Sequence, residues 1–130
     1  MGETNLPILI KNMHPILREG EYVFCTVSRV SVDNENIIFY FKEEEGITIV
    51  CSKEYATQNN YSFLCTFSWI TLKVNSSLAA VGLTAAFSQA LTQNHISCNV
   101  VAGFYHDHIF VPSEKAHLAI HALQELSKSV

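Results

Sequence analysis

The chain has 130 residues, enough for one compact domain or for two small modules that share a core. Only 15% of the residues are charged and 48% are hydrophobic, so few charges are available to cover the apolar surface, and we expect a homodimer. The net charge of −4 and the scattered Lys and Arg residues argue against nucleic acid as a partner, and no apolar run reaches the roughly 20 residues of a membrane span.

The start of the chain and its cysteines indicate a cytoplasmic location. The first five residues lack the basic region and the apolar core of a signal peptide. Four cysteines lie in apolar, strand-like runs, and their wide spacing matches neither a Cys-x-x-Cys metal site nor a dense disulfide framework. We therefore expect buried, reduced thiols.

In the first half of the chain, apolar side chains recur at roughly helical spacing over residues 6–17, with Pro15 as an interruption. Runs rich in β-branched and aromatic residues then predict extended segments. These segments are residues 22–27, 37–41, 47–51, 62–67 and 69–74. Ser52 is a candidate N-cap for a short helix through Thr57.

The second half has a clearer order of elements. A polar loop at residues 75–77 precedes a helix predicted over residues 80–93. A strand over residues 97–105, a tight turn at His106 and Asp107, and a returning strand over residues 108–111 form a hairpin. Ser113 is a candidate N-cap of the last helix.

This order, strand–helix–strand–strand–helix, is the ferredoxin-like arrangement without its final strand. An incomplete module needs a donated strand, and one from the first half of the chain could supply it. We therefore predict an α+β fold of two ferredoxin-like modules, with antiparallel sheets packed against helices and a strand shared between them. The predicted modules are residues 1–66 and 67–130.

The loop before the predicted helix at residue 80 is a candidate ligand site. The first amides of a helix have no intrahelical partner, and together with the helix dipole they suit a carboxylate. Ser76 and Ser77 add hydroxyl groups, and Gly82 allows a ligand to approach the backbone closely. The alternative is that one serine only caps the helix and that Gly82 only permits close packing.

Two other motifs suggest different chemistry. His106, Asp107 and His108 could bind zinc or iron with His95 or Cys98 as further ligands, or they could be ordinary hairpin residues. The acidic run at residues 43–45 is typical of a solvated turn, because no partner acid or base is evident. We therefore predict no catalytic residues, no metal and no cofactor.

Several runs resemble a family of small bacterial ACT-domain proteins over nearly the whole chain. The resemblance is carried by residues 20–25, 43–48, 69–84, 96–103 and 106–112. It implies tandem ACT modules, which generally bind amino acids between paired modules and regulate enzymes, transporters or transcription. The chain is also distantly similar to the cytosolic arginine sensor of animal growth signalling. That similarity implies a ligand-binding stretch at residues 80–82 and an acidic ligand-binding residue at Asp107.

The predicted function is therefore that of a non-catalytic regulatory protein that binds an amino acid or a similar small polar ligand. Asp107 and Asn99 would hold the ligand amine, and Glu45 and Gly46 would line the facing module. The predicted ligand-binding residues are Ser76, Ser77, Ala80, Val81, Gly82, Leu83, Asn99, Gly103, Phe104, Asp107, Glu45 and Gly46. The alternatives are an interaction module with a vestigial pocket and a metal-dependent enzyme centred on His106, Asp107 and His108.

Overall fold

The computed structural model describes residues 2–31, 34–74 and 76–130, and its contacts divide the chain into two units. One unit combines the two ends of the chain, up to Glu19 and from Ser68 onward, and we call it the terminal unit. The other, Gly20–Phe67, is the central unit. In chain order the elements are α1 (Leu6–Lys11), β1 (Pro15–Leu17), β2 (Tyr22–Val27), β3 (Ile37–Lys42), β4 (Ile47–Ser52), α2 (Lys53–Gln58), β5 (Phe67–Leu72), α3 (Leu83–Gln93), β6 (Asn99–Ala102), β7 (Asp107–Pro112) and α4 (Ala116–Lys128).

The sheet of the terminal unit has the strand order β1-β5-β7-β6. Strand β1 pairs antiparallel with β5, from Pro15 opposite Leu72 to Leu17 opposite Ile70. Because β1 precedes the central unit in the chain, the prediction that the first half donates a strand to the incomplete sheet is confirmed. By sequence, α1 and β1 fall within the predicted module 1–66, whereas their contacts are with elements that follow Ser68.

The helical spacing over residues 6–17 gives a helix only as far as Lys11. A proline restricts the residue before it to extended backbone, so His14 cannot continue the helix into Pro15. The chain turns after Lys11 and then enters the sheet, with the Lys73 amide donating to the His14 carbonyl at 2.9 Å. The proline therefore converts the second part of this run into the donated strand.

The core of the terminal unit lies between its sheet and helices α1, α3 and α4. Alternate residues of the central strands point into this core, as the two-residue period of a strand requires. Its fully buried members include Ile70, Leu72, Ile109, Val111, Phe87, Leu91, Ala119 and Leu123. Burial of this size is the main source of stability, at about 1.5–3 kcal/mol for each large apolar side chain.

The central unit is a three-stranded antiparallel sheet in the order β3-β4-β2, with α2 against β2 and β4. Its core contains Val23, Cys25, Ile49, Cys51 and Ala56. Helix α2 begins as predicted, because the Ser52 hydroxyl accepts a hydrogen bond from the Tyr55 amide at 3.1 Å. Both units thus have the α+β organisation that the sequence predicts.

Several predicted boundaries are wrong. Of the segment 62–67, only Phe67 is in a strand, and α3 begins at Leu83 rather than at residue 80. Ser113 is not an N-cap: it opens a short 3-10 turn, and its buried hydroxyl has no hydrogen-bond partner among the described residues. Tertiary packing decides these boundaries, which local preferences alone place only to within a few residues.

The cysteines differ from one another in exposure. Cys25 and Cys51 are buried, Cys98 is partly buried and Cys65 is exposed, so the expectation that all are buried is wrong for Cys65. Burial raises the pKa of Cys51 to about 12 and that of Cys98 to about 11. Both thiols are therefore protonated at neutral pH, which makes them poor nucleophiles.

Within residues 2–31, 34–74 and 76–130, no helix is long and apolar enough to cross a membrane.

The cap of α2 can be tested by Ser52→Ala, which removes the acceptor of the Tyr55 amide. We expect the free energy of unfolding in urea to fall by about 1 kcal/mol. Ser28→Ala is the matched control, since Ser28 is exposed and lies outside every helix and strand. Equal effects of the two substitutions would contradict the capping role.

Candidate ligand-binding site

A cavity of about 360 Å³ lies in the terminal unit, between the loop that precedes α3 and the β6–β7 hairpin. Its volume is within the range of small-molecule sites, roughly 300–1,000 Å³. The lining combines hydroxyl groups, one carboxyl group and small or branched apolar side chains. The lining residues are Ser76, Ser77, Leu78, Ala80, Val81, Gly82, Leu83, Thr84, Ala102 and Asp107.

One wall of the cavity is the beginning of α3. Gly82 is the N-cap residue, its φ is +104°, and no side chain caps the helix there. The first hydrogen bond of the helix runs from the Ala86 amide to the Gly82 carbonyl, at 2.9 Å. Leu83 and Thr84 line the cavity, and their amides have no intrahelical acceptor. This wall therefore offers donors and the positive end of a helix dipole, both of which favour an anionic group.

The serines lie in the turn before this helix and do not cap it. The Ser77 carbonyl accepts from the Ala80 amide at 3.0 Å, and the Ser77 hydroxyl accepts from the Ala79 amide at 3.1 Å. The Ser76 amide donates to the Val74 carbonyl at 3.1 Å. Because the Ser77 hydroxyl accepts within the turn, its own proton is available for a ligand. Asn75, which the sequence places in the same polar loop, lies outside the described residues.

Asp107 is on the opposite wall, as the first residue of β7 and the cross-strand partner of Ala102. The sequence predicts a turn at His106 and Asp107, but the turn is centred two residues earlier, at Phe104 and Tyr105, and is closed by the Gly103 amide donating to the His106 carbonyl at 2.9 Å. Burial raises the pKa of the Asp107 carboxyl, and the His106 imidazole opposes that rise. A cation beside this carboxyl would stabilise its ionised form.

Five predicted ligand residues do not line this cavity. The Asn99 side-chain amide donates to the Phe110 carbonyl at 3.3 Å, and Phe104 is 77% exposed with its ring against Tyr105. At Gly103 a Cβ atom would come within 2.9 Å of the His106 carbonyl oxygen, so this glycine serves the turn. Glu45 and Gly46 belong to the central unit.

Three lining residues were not predicted from the sequence. Leu78 lies in the loop and Thr84 in the first turn of α3, on either side of residues that were predicted. Ala102 lies directly opposite Asp107 in the hairpin. The turn predicted at His106 and Asp107 lies two residues after the observed one, so the sequence does not place Ala102 opposite Asp107.

The two histidines of the His106-Asp107-His108 motif are used in separate hydrogen-bond networks. His106 Nδ1 donates to the Val74 carbonyl at 3.2 Å. His108 Nδ1 lies 3.1 Å from both Trp69 Nε1 and Thr71 Oγ1, and burial is the main cause that lowers the pKa of this histidine. Among the described residues, no group of three or more His, Cys, Asp and Glu side chains could hold a metal ion.

The chain was then compared with known proteins. Two family models described as ACT domains match residues 1–68 and 65–125. The structure of a Vibrio cholerae protein of unknown function, a possible transport protein, is 48% identical, with a TM-score of 0.85 over 94% of this chain and 95% of that one. A comparison with curated proteins gives no match.

Two more distant structures share the fold. An Agrobacterium tumefaciens protein is 17% identical, with a TM-score of 0.73 over 89% of this chain and 90% of that one. The regulatory subunit of aspartate kinase from Thermus thermophilus is 8% identical, with a TM-score of 0.63 over 86% of this chain and 95% of that one. At these identities the likeness concerns the fold alone.

The backbone at the start of α3 can be tested with Gly82→Ala. The φ of +104° disfavours any side chain, so we expect the free energy of unfolding to fall by about 1–2 kcal/mol. A Cβ here would also lie 2.9 Å from the flexible end of Leu6. Gly82→Asn is the matched comparison, because asparagine enters the left-handed region more readily. If both variants lose the same stability in urea denaturation, the contact with Leu6 rather than φ is responsible.

The environment of Asp107 predicts a pH-dependent effect of Asp107→Asn. A carboxyl whose pKa is raised on folding favours the folded state when protonated; this contribution is complete below the ordinary pKa of 3.8 and is lost as the pH rises through the raised value. The neutral asparagine avoids that loss, so the variant should be more stable than the wild type at neutral pH. In urea denaturation, the difference in the free energy of unfolding between this variant and the wild type should disappear at about pH 3. If Asp107→Asn is less stable than the wild type at pH 7, the prediction that folding disfavours the ionised Asp107 carboxylate is wrong.

Proposed function

Because the chain belongs to the ACT-domain family, we propose that it is a non-catalytic regulatory protein that binds a free amino acid in the cavity between α3 and Asp107. The observation that carries the proposal is that one cavity has uncapped helix amides on one wall and a carboxyl group on the other. An α-amino acid has the complementary pair of charges, a carboxylate and an ammonium group.

The carboxylate end of the ligand would lie at the start of α3. The amides of Leu83 and Thr84 and the hydroxyl groups of Ser76 and Ser77 are the available donors there. Hydrogen bonds to an ionised acceptor are about twice as strong as those between neutral groups. Several such donors at a helix N-terminus are enough to fix the orientation of a small anion.

The ammonium end would contact Asp107. Partial burial disfavours the ionised carboxylate in the empty cavity, and a ligand cation beside it reverses that effect. The ligand ammonium and the ionised form of Asp107 therefore stabilise each other. The binding strength depends on this residue because it is the only acidic side chain among the lining residues that the structure describes.

The rest of the lining favours particular ligand side chains. It is formed mainly by Leu78, Ala80, Val81 and Ala102, and the described part of the lining contains neither lysine nor arginine. A second carboxylate on the ligand would have no cationic side chain to balance it, and it would be repelled by Asp107. We therefore expect small uncharged or basic amino acids to bind in preference to aspartate or glutamate.

The lining also supports a non-catalytic role. Among the described lining residues, Asp107 is the only titratable side chain, so they offer no paired acid and base and no activated nucleophile. Regulation would then be exerted on a separate enzyme or transporter by a homodimer in the cytoplasm. Ligand binding can bias such an assembly only through a difference in affinity between two of its states.

A second candidate function is docking of a protein partner. In that case the cavity is vestigial and binds no ligand. The observation in its favour is the exposure of large apolar side chains on the loop and the hairpin. Val81 is 84% exposed, Phe104 is 77% exposed, and Leu78 and Tyr105 are each 68% exposed. A cluster of this kind is typical of interaction surfaces.

A thermal-shift screen of the twenty amino acids at millimolar concentration tests the proposal. A ligand at 100 times its Kd stabilises the folded state by about 2.7 kcal/mol, which corresponds to several degrees in Tm. We expect a selective response to one or a few uncharged or basic amino acids. In Asp107→Asn the affinity should fall by about tenfold or more, because a charge-assisted contact is lost.

Glu114→Gln is the matched control, since it also removes one carboxylate, but from an exposed residue outside the cavity. It should leave the response unchanged. A wild-type chain that responds to none of the amino acids would overturn the proposal and favour the protein-docking function.

A further inference from the structure

The N-terminal segment (residues 2–6) lies against the loop that forms one wall of the cavity. Glu3 forms a parallel β-bridge with Ser76, and the Ser77 amide donates to the Glu3 carbonyl at 3.0 Å. None of the residues in the segment lines the cavity itself. The segment therefore contacts the outer side of the two serines whose inner side is available to a ligand.

Position 2 has no room for a side chain in this arrangement. A Cβ atom built on Gly2 would lie 2.3 Å from both the Ser76 carbonyl carbon and the Ser77 nitrogen. Non-bonded atoms do not approach so closely, and the atoms that would collide belong to the backbone, which cannot rotate away as a side chain can. The position of the Ser76–Ser77 peptide therefore requires a residue without a side chain at position 2.

The other end of the segment is anchored in the core through α1. The Asn5 side chain accepts from the Ile8 amide at 3.1 Å and caps this helix, whose Leu9 is fully buried. The Glu3 carboxylate accepts from the amides of Thr4 and Asn5, at 2.9 and 3.1 Å, which fixes the bend between the bridge and the helix. The segment is thus held at both ends.

The segment contacts the cavity wall at a second point. The Leu6 side chain packs against Gly82, since a Cβ at Gly82 would lie 2.9 Å from Leu6 Cδ2. Gly82 is the N-cap residue of α3, and its conformation directs the first helical amides. Both ends of the wall, the serines and the helix start, therefore contact the same short stretch of chain.

We propose that Gly2, Glu3, Asn5 and Leu6 are positioning residues of the binding site, which hold the serine hydroxyls and the first amides of α3 in the geometry that a ligand carboxylate needs. This inference rests on the proposed amino-acid function. It extends the site to a part of the chain that does not line the cavity. Displacement of the segment would weaken binding, so its contact with the loop is a point at which affinity can be controlled.

The test is Gly2→Ala in the full chain, with Thr4→Val as the matched control at an exposed position two residues away. Amide hydrogen exchange reports the contact directly, because the Ser77 amide is bonded to the Glu3 carbonyl. In Gly2→Ala we expect this amide to exchange about tenfold faster or more, while buried strand amides of the central unit are unchanged. Thr4→Val should exchange like the wild type.

Affinity for the amino acid found with the wild type is then measured by calorimetry. We expect Gly2→Ala to weaken it by about tenfold and Thr4→Val to leave it unchanged. Unchanged exchange at Ser77, or faster exchange with unchanged affinity, would overturn the inference. A wild-type chain that binds no amino acid overturns the proposed function instead, and the exchange measurement still decides whether the segment holds the loop.

Discussion

The antiparallel pairing of β1 with β5 is the constraint on which the terminal unit depends. The elements after Ser68 supply strands β5, β6 and β7, and the sheet gains its fourth strand from residues 15–17. Because β1 follows α1 directly, this pairing also brings the start of the chain to the same side as α3 and α4. The contact of Glu3 with Ser76 is a consequence, since Glu3 lies only three residues before the first residue of α1.

The two walls of the cavity differ in their electrostatic character. At the start of α3 the positive character comes from the backbone, so it depends on the conformation of Gly82 rather than on a charged side chain. At Asp107 the negative charge belongs to one side chain whose ionisation partial burial disfavours. An ionised carboxylate is unfavourable in such an environment, and the ligand ammonium proposed above would offset that cost. Residues that serve binding often reduce the stability of the folded protein.

Along the same loops, some residues permit a particular backbone conformation and others line the cavity. Gly103 permits the hairpin turn and Gly82 permits the start of α3, whereas Asp107 and Ser76 face the cavity. His106 connects the two regions, because its imidazole donates to the Val74 carbonyl, which also accepts from the Ser76 amide. The hairpin and the loop are therefore coupled by hydrogen bonds independently of any ligand.

The resemblance to the arginine sensor implied Asp107, whereas the sequence by itself determined the fold class, the need for a donated strand, the cap at Ser52 and the loop that lines the cavity. These follow from patterns that are local, or from the count of strands in a known arrangement. Only the tertiary structure decided that residues 15–17 are the donated strand, that Asp107 begins β7, and that Asn99, Gly103 and Phe104 lie away from the cavity. The reason is that register and close approach depend on contacts between distant residues. A shift of one residue reverses which side of a strand a side chain occupies.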